Sequence, residues 1–526
     1  MDGPHSIEPL PTEIWNEILS SAVPELPDYE DVAETSQKPI ELPASFIASR
    51  SSLFHLCLMS RRLDALARPF LFKTVVIWEV DSLLLLWRSL KSRPDLGHLI
   101  CQMACWVTLT RETVVHRMMS LVKEGLVPSR STRDLYQTLI SRHDVPQFLL
   151  FDILCQSTQL TMLSLLVPRS AEGIEYSALM AMVVGNRQSD STSTAPATLD
   201  HDQALGISHS LTSIQLCLDQ SLPAALRSLG DEEDMGFDHQ DYWPLLGISN
   251  LIRLHCYGDD ASRNLGFLLQ EDGSIGYGAP PEGYLGTLQE VRLDASSSGP
   301  KSLYSLCQHA PQLQVLRVSH RRHSQESFIW GHPTAKNLDS GLLMRASTLQ
   351  HLHLDFYDSM EYKFFTGPDG RLASLPQLHR LETLHIQLQT LFGRISDISR
   401  LDIGEMFPSS LVDLTLHDQW DQDAVETEER IKLYSGLIDP DEFQGGWIMG
   451  PGMTKAGFWY RYREGILRML MRLCDESVER LPHLRKVHYV SDFWSRRGWE
   501  RQNLFNEVQA RFSERSIEFY AGQKLL

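Results

Sequence analysis

One short pattern recurs nine times in order along the chain, and it restricts the fold more than any other feature. Leu160-x-x-Leu163-x-Leu165 returns as Leu211-x-x-Ile214-x-Leu216, Leu251-x-x-Leu254-x-Cys256 and Leu288-x-x-Val291-x-Leu293. It continues as Leu313-x-x-Leu316-x-Val318, Leu349-x-x-Leu352-x-Leu354 and Leu381-x-x-Leu384-x-Ile386, and closes with Leu411-x-x-Leu414-x-Leu416 and Leu484-x-x-Val487-x-Tyr489. The last two apolar positions alternate as in a strand with one buried face, and the first marks the turn that leads into it. Helix-like runs stand between these strands at Ser82–Ser92, Val145–Leu154, Lys301–His309 and Gly465–Leu481, and Trp106-Val107-Thr108-Leu109 reads as a further strand. Pro311 and Pro482 each lie two residues before the next leading leucine, and Pro376 lies five before Leu381. Proline stops a helix and directs the chain into an extended approach. Strand and helix alternating at this spacing build a parallel sheet with helices along its outer side.

The pattern resembles a leucine-rich repeat in degenerate form. From Leu254 the central residues are spaced 37, 25, 36, 32 and 30 apart, mostly longer than the roughly 20–29 residues of regular repeats. Where regular repeats place Asn or Cys, this chain has Asp219, Asp259, Ser296, Arg321, Tyr357, Gln389 and Gln419. An asparagine ladder is therefore not expected. Long loops are predicted at 186–203, 257–284, 321–340 and 418–459. Polar residues that alternate with the apolar positions, or follow them, should face away from the core. Asp219, Arg317, His351, His353, His385 and His417 are the candidate substrate contacts on that face.

The N-terminus carries a different signal. Leu10-Pro11-Thr12-Glu13-Ile14-Trp15-Asn16-Glu17-Ile18-Leu19 reads as a helix start, with Pro11 in the first turn, where a missing N–H costs nothing, and acids at the positive end of the helix dipole. Pro24 and Pro27 end this pattern, and a polar, acidic loop is predicted over about 22–50. A second helix is predicted from Ser51 or Ser52 through Ala67, broken at Pro69, with β-prone residues from Phe70 to Ile77. "LPTEIWNEIL" and "LFHLCLMSRRLDALARPFLFKTV" together resemble the F-box, above all its fungal form, over Leu10–Leu19 and Leu53–Val75. In the family only a few residues separate the two parts; here about thirty intervene, an insertion whose entropic cost grows slowly with length. The resemblance implies binding to a Skp-family adaptor and through it to a cullin–RING ubiquitin ligase. Carried over by position, Leu10, Pro11, Ile14, Ile18 and Leu19 would meet the adaptor from the first helix, and Leu56, Leu58, Met59 and Leu63 from the second. The predicted class is thus α/β. A small N-terminal helical module over 1–78 precedes an irregular leucine-rich-repeat solenoid over 79–526, with a curved parallel sheet and outer helices.

Composition and motifs narrow the function. The net charge of −19 argues against general nucleic-acid binding, which needs a basic footprint. From Met1 to Arg50 ten Asp or Glu face one Lys and one Arg. The eight cysteines form no CxxC pair and no Asn-x-Ser/Thr site occurs, which suits a reducing, intracellular compartment, cytoplasmic or nuclear. Apolar runs such as Leu83–Trp87 are far short of a bilayer span, so no membrane association is expected. No GxSxG, HExxH or phosphate-binding GK[ST] motif is present, and neither an enzyme nor a cofactor is expected. His351, His353 and Asp355 alternate along one strand, a pattern a metal can use, though exposed polar strand positions are the commoner reason for it. The expected function is substrate recognition for a cullin–RING ligase, with an unknown protein substrate on the repeats. The alternative is a scaffold whose N-terminal helices only cap the solenoid.

Overall fold

In a computed structural model of the chain, the described residues are 10–27, 29, 42–107, 111–124, 130–140, 145–167, 210–218, 248, 250–257, 285–296, 300–320, 335–355, 372–392, 403–418, 455–491 and 505–522. They form two compact units, Met1–Ile252 and Arg253–Leu526. The boundary expected near residue 78 falls inside the first.

Among its described residues the first unit has helices α1 (Thr12–Ser21), α2 (Ala44–Met59) and α3 (Arg61–Lys73) ahead of its strands. Pro11 stands one residue outside α1 as its cap, and its carbonyl accepts the first helical bond from Trp15 N at 3.2 Å. The second predicted helix is corrected in three ways. It begins at Ala44, ahead of Ser51. It breaks at Ser60, whose extended backbone (φ −162°, ψ 158°) lets its hydroxyl cap α3 by accepting from Leu63 N at 3.2 Å. Pro69 does not end α3, which runs on to Lys73 and takes in Phe70 and Phe72. Proline removes one helical bond at Ala65. Packing holds the turn that follows, because Phe70 and Leu71 lie against a small core of Leu19, Leu53 and Ala67. Trp15, Leu56 and Leu66 complete that core. The two separated sequence segments therefore meet in one helical module.

Strands β1 (Thr74–Ile77), β2 (Gln102–Cys105), β3 (Met162–Val167) and β4 (Ser213–Leu218) follow, all parallel and paired in chain order. A strand lies at Gln102–Cys105, ahead of the one expected at Trp106–Leu109, of which Trp106 and Val107 are not in a strand and 108–109 lie outside the described residues. Trp106 is a buried wedge instead, its Nε1 donating to Ser164 Oγ at 2.7 Å. Helices α4 (Val80–Ser92), α5 (Arg111–Lys123), α6 (Arg130–Ile140) and α7 (Val145–Gln156) lie between these strands in sequence. A 3-10 turn, Pro94–Leu99, leads into β2.

Among the described residues of the second unit are eight parallel strands, again paired in chain order: β5 (Arg253–Tyr257), β6 (Glu290–Ser296), β7 (Val315–His320), β8 (His351–Asp355), β9 (Thr383–Gln387), β10 (Asp413–Asp418), β11 (Lys486–Ser491) and β12 (Glu518–Gly522). Its helices are α8 (Pro300–His309), α9 (Ala335–Met344), α10 (Leu388–Phe392), α11 (Lys455–Arg480) and α12 (Asn506–Glu514). All nine repeats of the motif are strands, β3 to β11, and every leading leucine is buried. Of the loops predicted at 321–340 and 418–459, the ends are helical, in α9 from Ala335 and α11 from Lys455, and residues 321–334 and 419–454 lie outside the described set. Residues 186–203 and 258–284 lie outside the described set. Among the described residues no helix is long and apolar enough to cross a membrane.

Candidate functional site

Two surfaces, one in each unit, hold the candidate residues. Leu10 and the cap residue Pro11 lead into α1, and on α1 itself Ile14 and Ile18 follow a four-residue spacing and therefore share a face; all four are exposed. On α2, Ile47, Phe54 and Leu58 lie seven and four residues apart and are exposed, and Met59 follows them. Leu58 and Met59 stand 67% and 71% open to solvent. Large apolar side chains at such exposure mark a contact surface when they collect in one element. The remaining carried-over residues sit deeper. Leu19 is buried in the module core, Leu56 packs against that core, and Leu63 is half-buried. The sequence pattern did not separate these two sets, because a helix of this size uses apolar residues both for its core and for its exposed stripe.

In the second unit the strands present their polar face as continuous rows. The residue between the last two apolar positions of each motif is in register with its neighbours, giving His255, Arg292, Arg317, His353, His385, Thr415, His488 and Tyr520 from β5 to β12. Three of the predicted contacts, Arg317, His353 and His385, are thus consecutive rungs. His351 lies on the same face of β8, two residues earlier, and is half-buried. His417 corrects its expected outward placement. Thr415 holds its rung, and His417 lies two residues further on, fully buried. Asp219 lies outside the described residues.

The residue just after the last apolar position forms a second row, and several of its members are buried acids or their partners. Asp294, 2% exposed, accepts hydrogen bonds from His255 Nε2 at 2.8 Å and Ser319 Oγ at 3.0 Å. Arg317 Nε lies 3.1 Å from Oδ1, the oxygen that Ser319 also bonds, as an ion pair off the hydrogen-bonding direction. Burial alone would push the Asp294 carboxyl up; the bond from His255 and the charge of Arg317 outweigh it and hold the carboxyl below the usual range. A carboxylate depressed on folding adds stability that is present above its unfolded value, about 3.9, and lost as pH falls through the folded value. Asp294→Asn is therefore expected to lower unfolding free energy by about 1–3 kcal/mol at neutral pH. Urea unfolding across pH should show that gap closing below about pH 4; a gap that stays constant with pH would refute the assignment.

Further along the same face, the His353 and His385 rings stack with centroids 3.8 Å apart and 7° between planes. One ligand-type atom each from His353, Asp355 and His385 lies within 4.8 Å of the others. Asp294 and Gln387 were missed as site residues, and Asp355 was noted only as part of a pattern that a metal can use and read as an exposed polar strand position. The signal that finds them is positional: each directly follows the last apolar residue of its motif. No family model and no curated protein matches this chain.

Proposed function

We propose that the protein is a substrate-recognition subunit of a cullin–RING ubiquitin ligase, holding a Skp-family adaptor with its N-terminal module and a protein substrate on the polar face of its repeat strands. The observation that carries this reading is the pair of exposed apolar stripes on a module whose core is already filled. Leu19, Leu53 and Ala67 close the interior, so Leu10, Ile14, Ile18, Phe54, Leu58 and Met59 are left for a partner. Burying one such side chain yields roughly 1.5–3 kcal/mol, so six supply ample driving force for a stable complex.

Along the strands of the second unit, Arg317 offers a cationic contact and His351, His353 and His385 offer polar ones, a suitable platform for selecting one segment of a substrate. The scaffold alternative assigns the module only to capping the strands. Co-purification of the full chain with a Skp-family adaptor separates the two. The wild-type chain should retain the adaptor, and a Leu10→Ala, Pro11→Ala double variant should retain markedly less. Failure of the wild type to hold the adaptor, or equal retention by the variant, would favour the scaffold.

A further inference from the structure

The end of the polar face on β8, β9 and β10 collects three imidazoles and one carboxylate. His353 opposes His385 in register, and Asp355 lies two residues along β8 on the same face. His417, on the neighbouring β10, places its ring edge-on to His385 at 5.7 Å and its Nδ1 3.6 Å from Asp355 Oδ2. His417 is 0% exposed, and neither of its ring nitrogens has a hydrogen-bond partner among the described residues. Burying a polar group without such a bond is costly, and native structures rarely leave one so. A contact of 3.6 Å to a carboxylate is too long to offset that cost as a hydrogen bond.

We propose that His353, Asp355, His385 and His417 form a binding site for one divalent transition metal ion, with Zn²⁺ the best fit. Three neutral imidazoles and a carboxylate are borderline donors that suit Zn²⁺, Cu²⁺ or Ni²⁺; Ca²⁺ and Mg²⁺ require shells of oxygen. Tetrahedral zinc with bonds of about 2.1 Å sets its donors about 3.4 Å apart. The donor atoms of His353, Asp355 and His385 lie within 4.8 Å of one another. Binding the ion would therefore draw these donors together by up to about 1.4 Å. The metal gives His417 the partner its nitrogens otherwise lack. Gln387 Nε2 already donates to Asp355 Oδ1 at 3.0 Å. That bond fixes the carboxylate and leaves Oδ2 toward His417, as an outer-shell partner does in metal sites. The site goes beyond the ligase reading and does not depend on it, since every residue lies in the second unit.

The test uses the full chain after chelator treatment, titrated with Co²⁺ for visible absorption and with Zn²⁺ by calorimetry. The expected result is one equivalent per chain, with the d–d bands of a four-coordinate nitrogen and oxygen site. A His353→Ala, His385→Ala double variant should weaken Zn²⁺ binding by at least 100-fold, and Gln387→Leu by about ten-fold or more. Asp355→Asn, which preserves size, should abolish the Co²⁺ bands, and it decides the matter if the double variant fails to fold by circular dichroism. His116→Ala, on an exposed helix of the first unit, should change nothing. The proposal is overturned if the wild type takes up no stoichiometric metal, or if Asp355→Asn binds Zn²⁺ and shows the same bands as the wild type. Binding lost only in His116→Ala would place the metal elsewhere and overturn it equally.

Discussion

A chain carrying Ile14→Asp together with Leu58→Asp is expected to lose Skp-family adaptor binding by about three orders of magnitude while keeping its wild-type melting temperature. Both positions are exposed, Ile14 on α1 and Leu58 on α2, and neither belongs to the module core of Leu19, Leu53 and Ala67. Exposed substitutions away from buried contacts change stability by within about 0.5 kcal/mol. Binding is another matter. Each change withdraws an apolar group worth roughly 1.5–3 kcal/mol when covered and adds a carboxylate that the interface must dehydrate. A combined loss of about 4 kcal/mol is close to a thousand-fold in affinity. Surface plasmon resonance against the purified adaptor measures the first quantity and calorimetric melting the second. Leu53→Ala is the contrasting case: it hollows the module core and should lower the melting temperature as well as binding. If the charged pair binds like the wild type, the two stripes are not the adaptor surface.

The parallel sheet was legible because its signal is redundant. Nine motifs each place a leucine at the leading turn and two apolar residues on the core face, and all nine are strands. β12 escaped because its motif is weak: only Ile517 and Phe519 are buried around it. β1, Thr74–Ile77, falls within the β-prone run from Phe70 to Ile77, whereas β2, Gln102–Cys105, is a four-residue run too short for alternation to separate from a turn. Helix boundaries failed where tertiary packing overrode local preference. Pro69 reads as a stop, yet Phe70 and Leu71 pack on the module core, and α3 continues. Ser60 gives no warning of a break inside an apolar stripe, but as a serine it supplies the cap that makes the break stable.

The candidate site was legible as a face and not as a set of contacts. Period-two alternation set Arg317, His353 and His385 at equivalent strand positions, and these are in register as consecutive rungs. It cannot say which strand neighbours which, nor the register between them, so the stacking of His353 on His385 and the capture of Asp294 by His255 were beyond reach. Nor can it give depth. His417 obeys the same parity as its neighbours and is nevertheless sealed from solvent, because the second row of this face is buried where the first row is only partly so.

Gly97→Ala is expected to lower the stability of the first unit by about 3 kcal/mol, the upper part of the range for overpacked sites. The backbone of Gly97 has no unusual dihedral that would demand glycine; the demand is for space. A methyl group added there would sit 2.3 Å from the carbonyl oxygen of Gln156 and 2.8 Å from its carbon. Both are backbone atoms at the last residue of α7, so no side chain can swing aside. The 3-10 turn Pro94–Leu99 and α7 must therefore separate. Relief is limited, because α7 is held to α4 by Asp152, which accepts from Trp87 Nε1 at 2.5 Å and from Lys91 Nζ at 2.9 Å. The chain beyond the turn is held as well, since Cys101 carbonyl receives Thr161 N at 2.7 Å just before β2 pairs with β3. A unit of about 250 residues moves roughly 2–4 °C per kcal/mol, so the variant should melt about 6–12 °C below the wild type. Restoring the wild-type melting point would need α7 to shift, which weakens the Asp152 contacts; an Asp152→Ala change made in the Gly97→Ala background should therefore cost less than the same change in the wild type. Melting of Gly97→Ala within about 1 °C of the wild type would show that the turn and α7 do not approach as closely as their backbones indicate.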